Sequence, residues 1–274
     1  DLKNHLYLDA VIQNGREEHE SRALAELDDR SWLKEPAILI ADCGYEAYNN
    51  TAHIEQKNWN YLIRAKAYFQ GLSCLIHRDS MLHCRCFHRS GLHFFASSLR
   101  LIRREPQKYR WIPSKVCFDY IRNASDALYT ISFRVVRFAV KEGLYETVIT
   151  NLPADRFPPP LLCALYHKRW GVETSFQDLK HTLALTHFHA KKRPFIEQEI
   201  FAKMTHYNFA ALFHLQNVFT QPKGRHLYRI NAAFATHIAR EFLLDFVPAA
   251  IVEPLMAKFL PLSALDSKNQ EICA

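Results

Sequence analysis

Two short apolar runs on either side of a helical segment constrain the fold of this chain most. The run "AILIADCG" (37–44) ends in Asp and Gly, and "NYLIRAK" (60–66) follows the helix-like "YNNTAHIEQKNW". Continuous apolar runs are typical of strands buried on both faces of a parallel sheet. A helical pattern in "REEHESRALAELDDR" and an alternating pattern in "HLYLDAVIQ" (5–13) precede them. This alternation of strands and helices predicts an α/β fold with 37–44 as a buried, central, parallel strand.

The pattern changes after residue 66. Short β-rich runs such as "LHCRCFHRSGLHFFASSLRL", "ALYTISFRVVRFAV" and "YETVITNLP" follow one another up to residue 152. Three long helical patterns then complete the chain, the first of them predicted as one continuous helix over 162–185. We therefore predict four segments: 1–66 as the N-terminal part of the core, 67–152 as a β-rich insertion, 153–218 as the C-terminal helices of the core, and 219–274 as a C-terminal helical region.

Composition narrows the classes of function. The formal net charge of +7 favours a polyanionic partner such as DNA. Seven glycines, with neither GxGxxG nor GxxxxGK[ST], argue against a glycine-rich phosphate loop. No apolar run approaches the roughly 18 residues of a membrane span. Seven irregularly spaced cysteines favour a reducing cytoplasm over a disulfide framework. Because the sequence opens without Met or a signal peptide, we expect a fragment of a longer protein.

Four functional side chains share one face of the helix predicted over 162–185. At about 100° per residue, Tyr166, Arg169, Glu173 and Lys180 fall within about 60° of arc. The predicted core stripe beside them consists of Leu161, Leu165, Val172, Phe176, Leu179 and Leu183. Trp170 falls off that stripe, where an aromatic ring can contact a ligand such as a base. A solvated helix face with chance charges is the alternative.

Asp42 ends the apolar run at 37–44, where carboxylates that bind metal ions often project. Together with Glu173 it could hold a divalent cation through hard oxygen ligands. The alternative for Asp42 alone is a residue that ends the strand in a turn.

These residues together resemble a known family. "ADCGYEAYN", "NYLIRAK" and "YETVITNLP", followed by the spacing Y-x2-R-x3-E-x6-K at Tyr166, Arg169, Glu173 and Lys180, resemble the DDE transposases of the fourth insertion-sequence family over about residues 5–215. The resemblance implies an RNase H-like α/β core: a mixed sheet flanked by helices, with a β-rich insertion before the helix that carries the Glu.

The resemblance also implies a site. Three carboxylates would bind two Mg²⁺ ions, with Mn²⁺ as an alternative; Asp42 matches the second Asp and Glu173 the Glu. The strand that would carry the first Asp is missing here, so we expect this fragment alone to be catalytically incomplete. Cys43 stands where many relatives have Arg. Arg169 and Lys180 would contact phosphates, Tyr166 the DNA backbone and Trp170 a displaced base. A homodimer that joins two transposon ends in the bacterial cytoplasm, at the nucleoid, is implied as well.

Other classes of function stay open. A non-catalytic DNA-binding remnant of a transposase would keep the basic face without the chemistry, and a purely structural interaction protein would not bind DNA. The histidines and cysteines of "CLIHRDSMLHCRCFHRSGLH" could bind structural zinc, but their spacing is not the paired CxxC form. Ordinary strand residues are the alternative there. Arg64 and Lys66, at the end of "NYLIRAK", could face a cleft or be surface charges.

Overall fold

The computed structural model describes residues 1–16, 19–66, 80–88, 104, 109–112, 116–121, 129–216 and 232–258. By their internal contacts the residues form two compact units, which are considered separately here. Residues 13–166 form the sheet unit, and residues 1–12 with 167–272 form the helical unit. Among the described helices, none combines the length and the apolar character that a membrane span requires.

Among the residues that the structure describes, the sheet unit contains six strands and three α-helices that have defined bounds. The strands are β1 (Ile38–Ala41), β2 (Asn60–Arg64), β3 (Ser80–His88), β4 (Tyr109–Ile112), β5 (Tyr129–Lys141) and β6 (Leu144–Thr150). The helices are α1 (Glu20–Arg30), α2 (Tyr48–Gln56) and α3 (Pro159–His167), the last of which ends at the boundary of the unit. The sheet order is β1-β2-β6-β5-β3-β4, with β1 parallel to β2 and β6 antiparallel to both β2 and β5. The mixed sheet and the helices confirm the predicted α/β class.

Apolar side chains cover both faces of this sheet. On one face, Ile63 of β2 and Phe133 of β5 pack in one buried cluster with Ile54 of α2. On the other, Leu62 of β2 lies in a second cluster with Leu162 of α3. Successive residues of a strand point to opposite faces, so a strand buried on both sides must be apolar throughout. This explains why "NYLIR" carries no alternating pattern.

The position of β1 corrects one prediction. Residues 38–41 form a strand parallel to β2, as predicted, but β1 lies at an edge of the described sheet rather than at its centre. Its burial is correspondingly incomplete, since Ile38 is exposed. The strands that follow residue 79 continue this same sheet through the pairing of β2 with β6. The boundaries of the four predicted segments stay predictions.

The helical unit contains α4 (Trp170–His181), α5 (Arg193–Gln216), α6 (Ala232–Leu243) and α7 (Ala249–Lys258). Its apolar cluster is built on α6 and α7, with Ile238 and Met256 fully or almost fully buried. The long patterns after residue 190 are confirmed as helices α5 and α6. The sequence "TQPKGR" (220–225) is typical of a loop, and it lies outside the described residues.

The predicted strand at 5–13 is wrong. The structure contains no strand there; instead the segment contacts α4 and α5 of the helical unit. Tyr7 bonds through its backbone to the side chain of Asn208, 201 residues away, and its ring lies 5.1 Å from that of Tyr207. The backbone of Tyr7 bonds to a side chain of α5 and not to a neighbouring strand, so the alternating pattern here does not indicate a strand.

The single helix predicted over 162–185 is also wrong. It divides into α3 and α4 at Lys168 and Arg169. At the break, the amide of Gly171 donates to the carbonyl of Lys168 and that of Val172 to the carbonyl of Arg169, at 3.0 and 2.9 Å. These bonds span three residues rather than the four of an α-helix. Gly171 is a poor helix former at that position, which favours the change.

Candidate functional site

Asp42 lies directly after β1, at the carboxyl end of the parallel pair β1–β2. Its side chain caps the short 3-10 turn Cys43–Tyr45 by accepting the amide hydrogen of Cys43 at 2.6 Å. The register pairs Ala41 with Ile63, so Arg64 follows β2's last paired residue just as Asp42 follows that of β1. The guanidinium of Arg64 lies 2.8 Å from the Asp42 carboxylate. The predicted position of Asp42 at a strand end is confirmed.

Two further carboxylates lie at the carboxyl end of β2, one near Arg64 and one at Lys66. Glu146 of β6 approaches the guanidinium to 3.8 Å. Glu46 accepts the amide hydrogen of Lys66 at 2.6 Å, which anchors the end of β2. Burial raises the pKa of Glu46 to about 7, although the Lys66 amide and the Lys66 charge act against this rise. The carboxyl end of β2 therefore combines one guanidinium with acidic side chains from three places in the chain.

Glu173 lies in the first turn of α4, in the helical unit. Arg169, four residues earlier, donates to its carboxylate at 2.9 Å, and the Arg169 guanidinium lies 5.2 Å from the ring centroid of Trp170. Lys180 follows Glu173 by two helical turns and is exposed, so both side chains lie on one face of α4. Trp170 is 55% exposed, as its position off the core stripe predicted.

Tyr166 lies in a different helix, α3, before the break, and is 1% exposed in the apolar cluster of the sheet unit. The angular alignment of Tyr166 with Arg169, Glu173 and Lys180 assumed one continuous helix, and that assumption is wrong. The predicted core stripe is likewise wrong at Leu161 and Phe176, which are exposed, and correct at the buried Leu179.

The structure therefore forms two groups from the predicted residues. Asp42 lies with Arg64 and Glu146 in the sheet unit, while Arg169, Trp170 and Glu173 lie together in the helical unit. The convergence of Asp42 and Glu173 around shared cations stays a prediction. Sequence reasoning missed Glu146 and Glu46, and it left the role of Arg64 open. The signal for Arg64 was its place at the end of a strand parallel to the one that precedes Asp42.

The predicted zinc ligands are only partly described. His83, Cys84, Cys86 and His88 belong to β3, whereas Cys74, His77 and His93 lie outside the described residues. Among the side chains that are described, no group of three or more His, Cys, Asp or Glu is arranged to hold a metal ion. The zinc alternative stays untested.

Comparison with known families decides the class of protein. The family model of the transposase DDE domain matches residues 1–209. This chain belongs to the transposase DDE-domain family. The DDE domain thus spans all of the sheet unit and the helical unit as far as α5. No curated protein matches the chain. Membership of the fourth insertion-sequence family stays a prediction.

Proposed function

We propose that this DDE domain cleaves and joins DNA strands at the ends of a transposable element, with Asp42 and Glu173 as ligands of divalent metal ions. The observation that carries the proposal is the family match over residues 1–209. The position of Asp42, at the carboxyl end of the parallel pair β1–β2, supports it because metal-binding carboxylates often project there. The reaction is hydrolysis of one phosphodiester followed by attack of the 3′-OH on another.

The donor chemistry fits Mg²⁺ or Mn²⁺, which prefer carboxylate oxygens. The side chains of Asp42 and Glu173 are 37% and 48% exposed. Each carboxylate pairs with an arginine, Asp42 with Arg64 at 2.8 Å and Glu173 with Arg169 at 2.9 Å. Each carboxylate therefore stands where it can accept a cation from solvent. Metal ions held by Asp42 and Glu173 would supply charge stabilisation for the attacking and leaving oxygens of the phosphodiester. The family pattern requires a third carboxylate, which these two residues do not supply.

Side chains around Glu173 are suited to DNA. Arg169 can bind a phosphate with two parallel hydrogen bonds, and Lys180 adds an exposed positive charge on the same helix. The exposed ring of Trp170 is suited to stack on a displaced base. We also infer that Tyr166 bonds to the DNA backbone, a contact that requires its buried hydroxyl to become accessible.

Transposition joins two DNA ends, so we infer that the working form is a homodimer that acts on bacterial DNA in the cytoplasm, at the nucleoid. The net charge of +7 favours this association at moderate salt. Cross-linking in the presence of DNA that carries the element's boundaries tests the dimer: a species of twice the protomer mass supports it, and protomers alone on the DNA contradict it.

Cleavage of DNA that carries the element's own boundaries tests the function. In a full-length protein that carries all three carboxylates, we expect Glu173→Gln and Asp42→Asn to abolish Mg²⁺-dependent cleavage while leaving DNA affinity within about threefold, since each removes one ligand charge. Glu197→Gln is the matched control, because Glu197 also pairs with an arginine four residues away, Arg193, at 2.7 Å. The control should cleave at the wild-type rate.

Two outcomes would reject parts of this proposal. Cleavage retained by Glu173→Gln would remove Glu173 from the metal site. A full-length wild-type protein that binds the boundary DNA but never cleaves it would be the non-catalytic remnant.

For Lys180→Ala we expect a salt slope of DNA binding shallower by about 0.9, the value of one lost phosphate contact. An unchanged slope would contradict that contact.

A further inference from the structure

A cavity of about 370 Å³ lies in the helical unit, between the end of α4 and the helices α5 and α6. Four of its lining residues carry basic nitrogen: Lys203, His206, His237 and Arg240. Thr182 and Thr236 add hydroxyl groups, and the lining includes no acidic side chain. The volume corresponds to roughly a dozen water molecules at ~30 Å³ each. The cavity therefore offers room and donors for a polar anion.

The basic residues are arranged by helix geometry. Lys203 and His206 are three residues apart on α5, and His237 and Arg240 are three residues apart on α6. Residues at this spacing are neighbours on one face of a helix. Two basic helix faces thus line the same cavity. Positively charged side chains around one cavity repel each other, and an anion bound between them replaces that repulsion with attraction.

The Lys203 ammonium is held in place before any ligand binds. It donates to the carbonyl of Ala184 at 2.6 Å and to that of His187 at 2.8 Å, and it lies 5.3 Å from the ring of Phe188. An ammonium has three N–H donors, and these two carbonyls account for two of them. A side chain that is already ordered loses little entropy when a ligand takes the third donor.

His206 is also fixed by a carbonyl. Its Nε2 lies 2.9 Å from the carbonyl oxygen of Thr236. A carbonyl oxygen only accepts, so Nε2 carries the hydrogen and the ring is held at the cavity wall.

We propose that this cavity binds a phosphate group of the DNA backbone. The inference rests on the proposed function, because it takes DNA as the substrate, but it uses none of the residues assigned to metal binding or to DNA contacts at α4. Arg240 and His237 are exposed at the cavity, so a ligand much larger than the cavity can place one phosphate in it. Free phosphate has the same recognition chemistry and is therefore a separate arm of the test.

The experiment compares Arg240→Gln with Arg193→Gln. The two arginines are matched: both belong to the helical unit, their side chains are 60% and 64% exposed, and each pairs with a glutamate, at 2.8 and 2.7 Å. Only Arg240 lines the cavity. Affinity for duplex DNA is measured against salt concentration with a chelator present, so the result is independent of metal-dependent cleavage. Inorganic phosphate is titrated separately while the ring signals of His206 and His237 are followed by NMR.

We expect Arg240→Gln to make the salt slope shallower by about 0.9, one phosphate contact, and Arg193→Gln to leave it unchanged. We also expect phosphate to shift the His206 and His237 signals, and duplex DNA to compete with it. Equal slopes for the two variants would overturn the inference while leaving cleavage, and hence the proposed function, intact. Phosphate shifts without competition by DNA would make this a free-phosphate site. Absence of any DNA binding would overturn both proposals.

Discussion

The side-chain amide of Asn208 hydrogen bonds to both backbone polar groups of Tyr7. The Tyr7 amide donates to Oδ1 of Asn208, and Nδ2 of Asn208 donates to the Tyr7 carbonyl, each at 2.7 Å. One side chain thus replaces the pair of bonds that a neighbouring strand would supply. The Tyr7 hydroxyl lies 2.6 Å from Oγ of Ser175, two residues after Glu173. The N-terminal segment is therefore attached to the helix that carries the proposed metal ligand.

The first prediction concerns this attachment. Asn208→Ala removes the partner of two backbone groups, and we expect the free energy of unfolding in urea to fall by about 1–3 kcal/mol. Asn4→Ala is the control, since Asn4 makes its bond to Asp1 at the exposed end of the same segment; we expect a loss below about 0.5 kcal/mol. Equal losses in the two variants would show that the Tyr7–Asn208 hydrogen bonds stabilise the fold no more than the exposed bond of Asn4 does.

A buried arginine provides the second prediction. Arg134 of β5 is 2% exposed and donates to the carbonyls of Leu152 and Phe157 at 2.9 and 3.1 Å. Arg134→Met deprives both carbonyls of this donor, so we expect a loss of roughly 2–5 kcal/mol in urea unfolding. Arg137→Met on the same strand removes only a ring contact with Tyr145 and should cost less than about 1 kcal/mol. A reversed order of the two losses would contradict the argument.

The third prediction concerns pH. His53 lies between Asp29 and Asp119, with ring nitrogens 2.7 and 2.8 Å from their carboxylates. Burial alone lowers the pKa of His53, but hydrogen bonds to Asp119 and Asp29 outweigh it, so the pKa rises above 6.5. The folded state therefore keeps this proton longer, and its contribution is full below pH 6.5 and is lost as pH rises through the folded pKa.

In the same cluster the pKa of Asp119 is shifted in the opposite direction to that of His53. Burial alone would raise the pKa of Asp119, but hydrogen bonds from Asn49, His53 and Cys117 lower it to about 2. Its contribution is present above pH 3.8 and lost as pH falls through about 2. The two residues therefore stabilise the fold most between about pH 4 and 6.5, which is measured as the difference in urea midpoint between wild type and the His53 and Asp119 variants across pH. His53→Gln should flatten the alkaline fall, and Asp119→Asn should reduce both falls; unchanged profiles would contradict the cluster's role.

The fourth prediction concerns Asp28 of α1, which is 2% exposed and whose Oδ2 has no hydrogen-bond partner among the described residues. Burial raises the pKa of Asp28 to about 7, although the charges of His53 and Lys57 act against this rise. The unfolded carboxyl ionises near 3.8, so stability falls as pH rises from there to about 7. Asp28→Asn should gain on the order of 1–3 kcal/mol over wild type at pH 8 and nothing at pH 3.5. Glu26→Gln, exposed on the same helix, should show no such pH-dependent gain.

The fifth prediction concerns the ion pair of Arg64 with Asp42. The Arg64 guanidinium lies 2.8 Å from the Asp42 carboxylate, so it competes with any metal ion that binds to this carboxylate. We expect Arg64→Gln to strengthen Mn²⁺ binding by about two- to fivefold, the value of a partly exposed pair worth ~0.5–1 kcal/mol. Mn²⁺ paramagnetic relaxation measures this directly. Weaker Mn²⁺ binding in the variant would show that Arg64 supports the metal site instead.

Most of the local structure could be predicted from the amino-acid sequence. The strands β1, β2, β5 and β6 and the helices α1, α2 and α5 lie where their apolar patterns predicted them, because each pattern depends on near neighbours in the chain. The position of Asp42 after a strand followed from the same patterns. Membership of the transposase DDE-domain family was also visible in the spacing of residues.

The remaining features depend on long-range packing. The edge position of β1, the attachment of residues 5–13 to Asn208 and the burial of Arg134 depend on partners far away in the chain. The ion pair of Asp42 with Arg64 depends on the parallel register of β1 and β2. The break at Arg169 places Tyr166 in a separate helix, α3. Such contacts are selected by packing and hydrogen-bond satisfaction across the whole fold, and local periodicity carries no information about them.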